Sequence, residues 1–378
     1  MKLTIDRSRL VSALQQAAKA VSARTTIPIL TGVKMVADPY GVTLTGSDSD
    51  VAIQCTVPCE EDDRILVHLQ QPGSVVIPAS YFLDIIRKLP GDTVEIEVNE
   101  RFTVALRSGP SAFHLNGMDA DDYPRLPQVE EGIGFAVPSD LLRTMIRQTV
   151  FAVSASETRP ILTGVQWTLE EGRLRFVATD SHRLATRTAQ VEADAEARVS
   201  VVVPGKSLQE LARTLEETRE LVDVSVAQNQ LIVKGKHILF YSRLLEGTYP
   251  DTSRIIPTAS KTNLVVETKE FLAAIERASL IAKDGKNNVV KLWVRPDQTV
   301  ELSSHSPEIG KVTEAVAARA VEGEELKIAF NAKYMMDALR AVDAPEVAIR
   351  FTGAMSPFVL KPTDHDWTLH LILPVRTY

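Results

Sequence analysis

Pro28-Ile29-Leu30-Thr31-Gly32-Val33 returns unchanged as Pro160-Ile161-Leu162-Thr163-Gly164-Val165, an offset of 132 residues. A six-residue match is expected by chance on the order of once in a few hundred chains of this size. Other correspondences share the offset: Leu10 and Leu14 with Leu142 and Ile146, and Ser47-Asp48-Ser49 with Thr179-Asp180-Ser181. The chain therefore contains an internal repeat, and the repeat decides the architecture.

A fainter third copy keeps the same order of elements. Each copy opens with a short alternating strand and an amphipathic helix with apolar residues three and four apart: Leu10, Leu14 and Val21, then Leu142, Ile146 and Val150, then Phe271, Ile275 and Ala278. After several strands a second helix is entered from Ile77-Pro78-Ala79, Val203-Pro204-Gly205 and Phe330-Asn331-Ala332, and an alternating strand follows each. Tyr123-Pro124 and Tyr249-Pro250 close the first two copies. The domains expected are 1–128, 129–257 and 258–378. The fold class is α+β: three tandem units, each with two helices and roughly eight strands, the helices segregated to one side of the sheets.

With 378 residues, 44% hydrophobic and 24% charged, the composition is that of a globular protein of two or three cores. No apolar run approaches the roughly 20 residues that span a bilayer, and MKLTIDRSRL has no apolar signal core, so a cytoplasmic protein is expected. Cys55 and Cys59 stand alone, without a second pair or a histidine at zinc-ligand spacing; two thiols on one strand face, and no metal or cofactor, are expected. The formal net charge is -7. Helices predicted at 7–24, 80–88, 139–151, 206–217, 269–283 and 332–342 nevertheless carry about +7 together, leaving about -14 elsewhere. The first helix is the extreme, with Arg7, Arg9, Lys19 and Arg24 and no acid. Solvated helix faces explain each excess singly; five of six together suit a polyanion-facing surface.

No phosphate loop, dinucleotide fingerprint, zinc-protease helix or nucleophile elbow occurs. Asp180-Ser181-His182 places triad residue types side by side, but consecutive residues of an extended segment point in alternating directions and do not converge.

Ala178 to Ala185 (ATDSHRLA), the repeated PILTGV, the Tyr249-Pro250-Asp251 turn and the end Leu373-Pro374-Val375-Arg376 resemble the bacterial sliding clamps, the beta subunits of DNA polymerase III, in order and spacing over the whole chain. The resemblance implies a non-enzymatic processivity factor of DNA replication: a homodimeric ring with helices inside and sheets outside that encircles double-stranded DNA without regard to sequence. It implies a clamp-loader ATPase, replicative and translesion polymerases, mismatch-repair proteins and ligase as partners, most docking through short Gln/Leu/Phe peptides, and a place at the nucleoid during replication. The implied peptide pocket uses Leu162, Thr179, His182, Arg183, Leu184, Pro250, Arg254 and Ile255, with Asn331, Tyr334, Met355, Ser356, Pro374, Val375 and Arg376. Such a set suits the anchoring of a Leu or Phe from an extended peptide. Arg7, Arg9, Arg24 and Lys206 are the implied DNA-facing cations, and Phe113 and Leu115 the implied partners of Leu280 and Ile281 across the dimer boundary. Ser181 stands where relatives commonly have Gly, Asn287 where some have an aromatic, and the loop 156–161 offers Ser156, Pro160 and Ile161 in place of aromatic and amide groups. Two other classes fit the residues alone: an open-surface nucleic-acid-binding repeat protein, and an enzyme built on Asp180-Ser181-His182.

Overall fold

The computed structural model describes residues 1–22, 25–126, 132–194, 196–227, 229–282 and 288–376. It divides into two compact units, Met1–Asp140 with Glu210–Leu244, and Leu141–Gln209 with Leu245–Tyr378. The division runs through the second repeat because strand pairing fuses each half of that repeat to a neighbour. In the first unit, Ile238–Arg243 pairs antiparallel with Val51–Pro58, Ile238 opposite Cys55. In the second, Arg183–Gln190 pairs antiparallel with Thr368–Ile372, Arg187 opposite Thr368.

Each unit holds two layers of sheet. The first has a five-stranded sheet that starts at the edge strand Ser111–Asn116 and runs through Thr103–Ser108, Thr93–Val98, Lys2–Asp6 and Val67–Gln71. In the second unit a nine-stranded sheet has Val199–Pro204, Gly164–Glu170, Arg173–Thr179, Arg183–Gln190 and Thr368–Ile372 as successive neighbours, and a four-stranded sheet ends at the edge strand Gly310–Ala317. Alternation in the sequence is alternation in burial: Thr93–Val98 is exposed and buried by turns, so its valines and isoleucine enter the core while threonine and glutamates face solvent.

The six helices expected are all present: α1 Arg7–Ala17, α2 Ala79–Lys88, α3 Ser139–Arg147, α4 Gly205–Thr214, α5 Thr268–Ala282 and α6 Ala332–Ala341. Three end earlier than their apolar periodicity suggests. α1 gives way to a 3-10 turn at Ala18–Ala20 and extended backbone at Val21, where its last carbonyl abuts Gly46: a Cβ there would lie 2.0 Å from the Ala17 oxygen. α3 stops because the Thr149 hydroxyl caps the Met145 carbonyl at 2.8 Å, and a separate 3-10 turn carries Val150. α4 ends at Thr214, whose hydroxyl likewise takes the Glu210 carbonyl at 2.8 Å. Arg24, in the expected extension of α1, lies outside the described residues, as does Asn287.

The repeated hexapeptide has a structural meaning. Both copies form a 3-10 turn closed by the threonine hydroxyl on the proline carbonyl, Thr31 on Pro28 at 2.8 Å and Thr163 on Pro160 at 2.7 Å. The glycine that follows lies against a strand too closely for any side chain: a Cβ on Gly32 would meet Val76 at 2.5 Å, and one on Gly164 would meet Val202 at 2.6 Å. The core of the third repeat gathers Phe271, Ile275, Phe330, Met335, Leu339, Phe351 and Phe358, all fully buried. Each such side chain contributes about 2 kcal/mol relative to exposure. Cys55 is buried in its strand and Cys59 lies just past the strand's end; burial pushes the Cys55 thiol up to about 12, an inert side chain.

Candidate functional site

In the second unit, the strand Arg173–Thr179 leads into a tight turn before Arg183–Gln190. The Asp180 carboxylate accepts the backbone N–H of His182 (2.9 Å) and of Arg183 (3.0 Å). The Thr179 hydroxyl accepts the Ser181 N–H at 3.2 Å and donates to the Arg183 carbonyl at 2.6 Å. Ser181 is forced to φ 76°, the left-handed region that favours glycine. The Tyr249 hydroxyl accepts the Thr179 N–H at 3.0 Å and so ties the Tyr-Pro segment beneath the turn; burial raises the phenol's pKa. Asp180 and its neighbours are thus held by backbone, an arrangement for shaping a turn rather than for acid–base work.

Arg183 is 8% exposed. Its guanidinium donates to Asp180 (3.0 Å), Asp337 (2.7 Å) and the Phe151 carbonyl (2.7 Å), and lies 4.5 Å from the centre of the Tyr334 ring. Tyr334 stacks in turn on His182, centroids 6.4 Å apart. Asn331 caps α6 by accepting the N–H of Lys333 at 2.9 Å and of Tyr334 at 3.4 Å, which fixes the start of the helix that presents Tyr334. Arg183 is therefore a positioning residue whose charge is spent inside the protein. Behind it, His370 packs edge-on to Phe151 at 5.3 Å; burial above all, with the Arg183 charge adding and the Ala338 backbone opposing, brings its pKa down to about 4.

Beside the turn lies an apolar floor. Leu162 and Leu184 join Val177, Val202, Tyr249, Val359, Leu369 and Leu371 in one buried cluster, with Ile161, Leu245, Ile256 and Leu373 partly buried against it. The C-terminal tail is stitched alongside by the Leu373 N–H on the His182 carbonyl (2.9 Å) and the Val375 N–H on the Ala329 carbonyl (2.8 Å). Ile255, 45% exposed, and Pro250 stand at the surface, Arg254 is exposed within 3.7 Å of Asp251, and Met355, 60% exposed, sits with Ser356 on the loop before Phe358–Pro362. An apolar floor with a fixed aromatic and a few hydroxyls at its edge suits an extended peptide with apolar anchors.

Models of the DNA polymerase III beta subunit match the chain three times over: the N-terminal domain at residues 1–127, the central domain at 136–251 and the C-terminal domain at 253–376. The chain belongs to the beta sliding clamps. It is 54% identical to the beta sliding clamp of Bacillus subtilis over 378 residues, the whole of both chains, and 49% identical to that of Staphylococcus aureus over the same span. The crystal structure of the Bacillus subtilis clamp superposes over all of both chains with a TM-score of 0.97. That of a Pseudomonas aeruginosa sliding clamp bound to griselimycin, 28% identical, does so with 0.93. The protein is a processivity factor, an accessory subunit of the polymerase without catalysis of its own.

The cations of α1 and of the 3-10 turn after it are more occupied than their number suggests. Arg7 donates to the Gly91 carbonyl at 2.8 Å, Arg9 pairs with Glu61 at 2.9 Å, and Lys19 donates to Gln16 and to the Arg213 carbonyl. Glu61 also receives Lys236 (2.8 Å) and His237 (2.7 Å), and those hydrogen bonds hold its carboxyl down to about 2. Lys206, in the first turn of α4, is exposed. Phe113, 42% exposed, and the half-buried Leu115 lie on the edge strand Ser111–Asn116; Leu280, 61% exposed, and the half-buried Ile281 lie on the last turn of α5. Among the described residues no cluster of metal-ligating side chains occurs, and no helix is long and apolar enough to cross a membrane.

Much of the floor was hidden from sequence reasoning. Val177, Val359, Leu369 and Leu371 look like any strand residue, and only the pairing of Arg183–Gln190 with Thr368–Ile372 brings them together. Alternation at 369 and 371 marks an inward face, but not which neighbour it meets.

Proposed function

We propose that two copies close head to tail into a ring, helices toward the duplex and sheets outward, so that retention on DNA is topological. The observation that carries this reading is the pair of edge strands, Ser111–Asn116 and Gly310–Ala317, each with unpaired backbone groups on its open side and each accompanied by exposed apolar side chains, Phe113 and Leu280. Such edges invite pairing unless a partner covers them, and two different edges on one chain make a heterologous contact. In this reading each chain has three domains, 1–128, 129–257 and 258–378, and Arg7, Arg9, Arg24 and Lys206 make screened contacts to phosphates. The turn, Tyr334, the apolar floor and the tail form the pocket for short Gln/Leu/Phe peptides of replicative and translesion polymerases, mismatch-repair proteins and ligase, and a clamp-loader ATPase opens the ring. The work is done in the cytoplasm, at the nucleoid.

The deciding experiment loads the protein on nicked circular DNA and washes at high salt. Retention on the circle and prompt loss after a single linearising cut are expected, since adhesive contacts weaken steeply with salt. Retention unchanged by linearisation overturns topological linkage. Combined Leu280→Ala and Ile281→Ala is expected to give mainly monomer at micromolar concentration by sedimentation, at a cost of about 2 kcal/mol or more for each buried anchor. An unchanged dimer mass rejects this boundary.

A further inference from the structure

The junction of the first and second repeats and that of the second and third are built on matching bonds. The Thr188 N–H donates to the Trp367 carbonyl at 2.9 Å; at an offset of 132 residues the Thr56 N–H donates to the His237 carbonyl at 2.9 Å. Arg187 is paired with Thr368 across the second junction, and Cys55, at the same offset, with Ile238 across the first. The helices α1 and α3 keep the offset, so Gln16 stands where Gln148 does and Ala13 where Met145 does. Glu216 lies two residues past α4, as Asp343 lies two residues past α6.

At the second junction a guanidinium fills the space between these residues. Arg187 is 7% exposed. Its Nε donates to the Gln148 amide oxygen at 2.8 Å, an Nη donates to the Thr188 carbonyl, and the group lies 5.3 Å from the centre of the Trp367 ring. The Gln148 amide donates in turn to Asp343 at 3.2 Å. Burial lowers the pKa of Arg187 to about 10, and the Asp343 charge opposes that shift. The first junction repeats this cradle with Cys55 for Arg187 and Ala13 for Met145. A cavity of about 350 Å³ results, lined by Ala13, Gln16, Cys55, Thr56, Glu216 and His237 among others. Small-ligand sites begin at about 300 Å³.

The charge of the lining suits a cation. Its two fixed cations, Arg9 and Lys236, both pair with Glu61, at 2.9 and 2.8 Å, and His237 meets the same carboxylate at 2.7 Å. Asp62 and Glu220 add only longer-range attraction to Lys236. With Glu216, the lining holds four carboxylates against those two cations. Gln16 accepts from Lys19, and its amide oxygen has a second lone pair. We propose that this cavity binds a guanidinium group, brought by a free guanidinium compound or by an arginine side chain of a partner. Gln16, Glu216, the Thr56 carbonyl and the His237 ring hold it as their counterparts hold Arg187. The chain itself displays the ligand's chemistry one repeat away.

The test titrates the full chain, by saturation-transfer NMR, with propylguanidinium and with the tripeptide acetyl-Gly-Arg-Gly-amide, each beside its ammonium counterpart, butylammonium and acetyl-Gly-Lys-Gly-amide. At least one guanidinium ligand is expected to bind in the millimolar range, about tenfold tighter than its ammonium counterpart, the worth of one charge-assisted hydrogen bond. Tighter binding of propylguanidinium assigns the site to a small ligand, and tighter binding of the tripeptide assigns it to a side chain. Glu216→Gln, at an exposed position, is expected to weaken guanidinium binding about fivefold. Cys55→Arg, which supplies the guanidinium from within the chain, is expected to abolish it; should that variant fail to fold, Glu216→Gln decides alone. Absence of saturable binding by both guanidinium ligands, equal binding of the ammonium ligands, or a guanidinium preference untouched by Glu216→Gln overturns the proposal.

Discussion

The two repeat junctions are built from the same parts and differ in what those parts carry. At an offset of 132 residues, Ser47-Asp48-Ser49 reproduces Thr179-Asp180-Ser181 bond for bond. Asp48 accepts the N–H of Asp50 (3.1 Å) and Val51 (2.8 Å), the Ser47 hydroxyl accepts from Ser49 (3.2 Å) and donates to the Val51 carbonyl (3.1 Å), and Ser49 sits at φ 83°. Yet Val51 stands where the second unit has Arg183, Cys55 where it has Arg187, and Phe240, opposite Ile53, where it has His370, opposite Ala185. The turn belongs to the scaffold. What makes only the second junction a candidate peptide pocket is the buried cation on Tyr334 and the tail beside it.

Substitutions at equivalent positions separate scaffold from site. The largest effect is expected at Arg183→Ala, which takes the guanidinium from Asp337, leaves Asp180 only its two backbone N–H bonds and frees Tyr334: about 3 kcal/mol by urea unfolding, as for a broken buried pair, with loss of peptide binding in isothermal titration. Val51→Ala removes only methyl groups, costs about 2 kcal/mol, and is expected to leave peptide affinity intact; equal losses of affinity would mean that the junctions are coupled rather than independent.

A pH series sharpens the contrast. His370 titrates near 6.5 when unfolded and about 4 when folded. Between those values the unfolded chain binds the extra proton, so stability is complete above about 6.5 and falls as pH drops toward 4. His370→Phe, the residue type of the first junction, is expected to abolish that part of the decline. Glu61 has its folded pKa depressed to about 2, so its contribution is present above about 4.5 and is lost as pH falls toward 2. The smallest effect is expected at Ser49→Gly and Ser181→Gly, each relieving left-handed backbone for a gain of up to about 1 kcal/mol. A loss at Ser181 alone would show that its side chain serves the pocket.

The repeat and the six helices were legible in sequence because each is local: a hexapeptide and a three-four spacing. Helix ends were not, since Thr149 and the close approach of Gly46 end α3 and α1 through contacts that periodicity does not register. The segment Asp180-Ser181-His182 was expected to be extended and is instead a tight turn, because Asp180 accepts the N–H of His182 and Arg183 and Ser181 takes a left-handed φ. The resemblance named Arg183 as a pocket residue, but its burial was not readable, because Asp337 lies 154 positions away. Of the four cations counted on the first helix only Arg7 and Arg9 lie on α1, and their availability depends on Gly91 and Glu61, partners from elsewhere in the chain. The cavity lined by Gln16 and Glu216 joins segments two hundred residues apart, beyond any spacing rule.

The two edge strands, Ser111–Asn116 and Gly310–Ala317, also have a genetic consequence. Under head-to-tail closure each copy supplies one of each, so a chain spoiled at a single edge still joins an intact copy at its other edge and blocks the second junction. In a cell making both versions equally, random pairing leaves about a quarter of pairs wholly intact. Alleles damaged at one edge are therefore expected to be dominant, whereas alleles damaged at both drop out of assembly and behave as recessive.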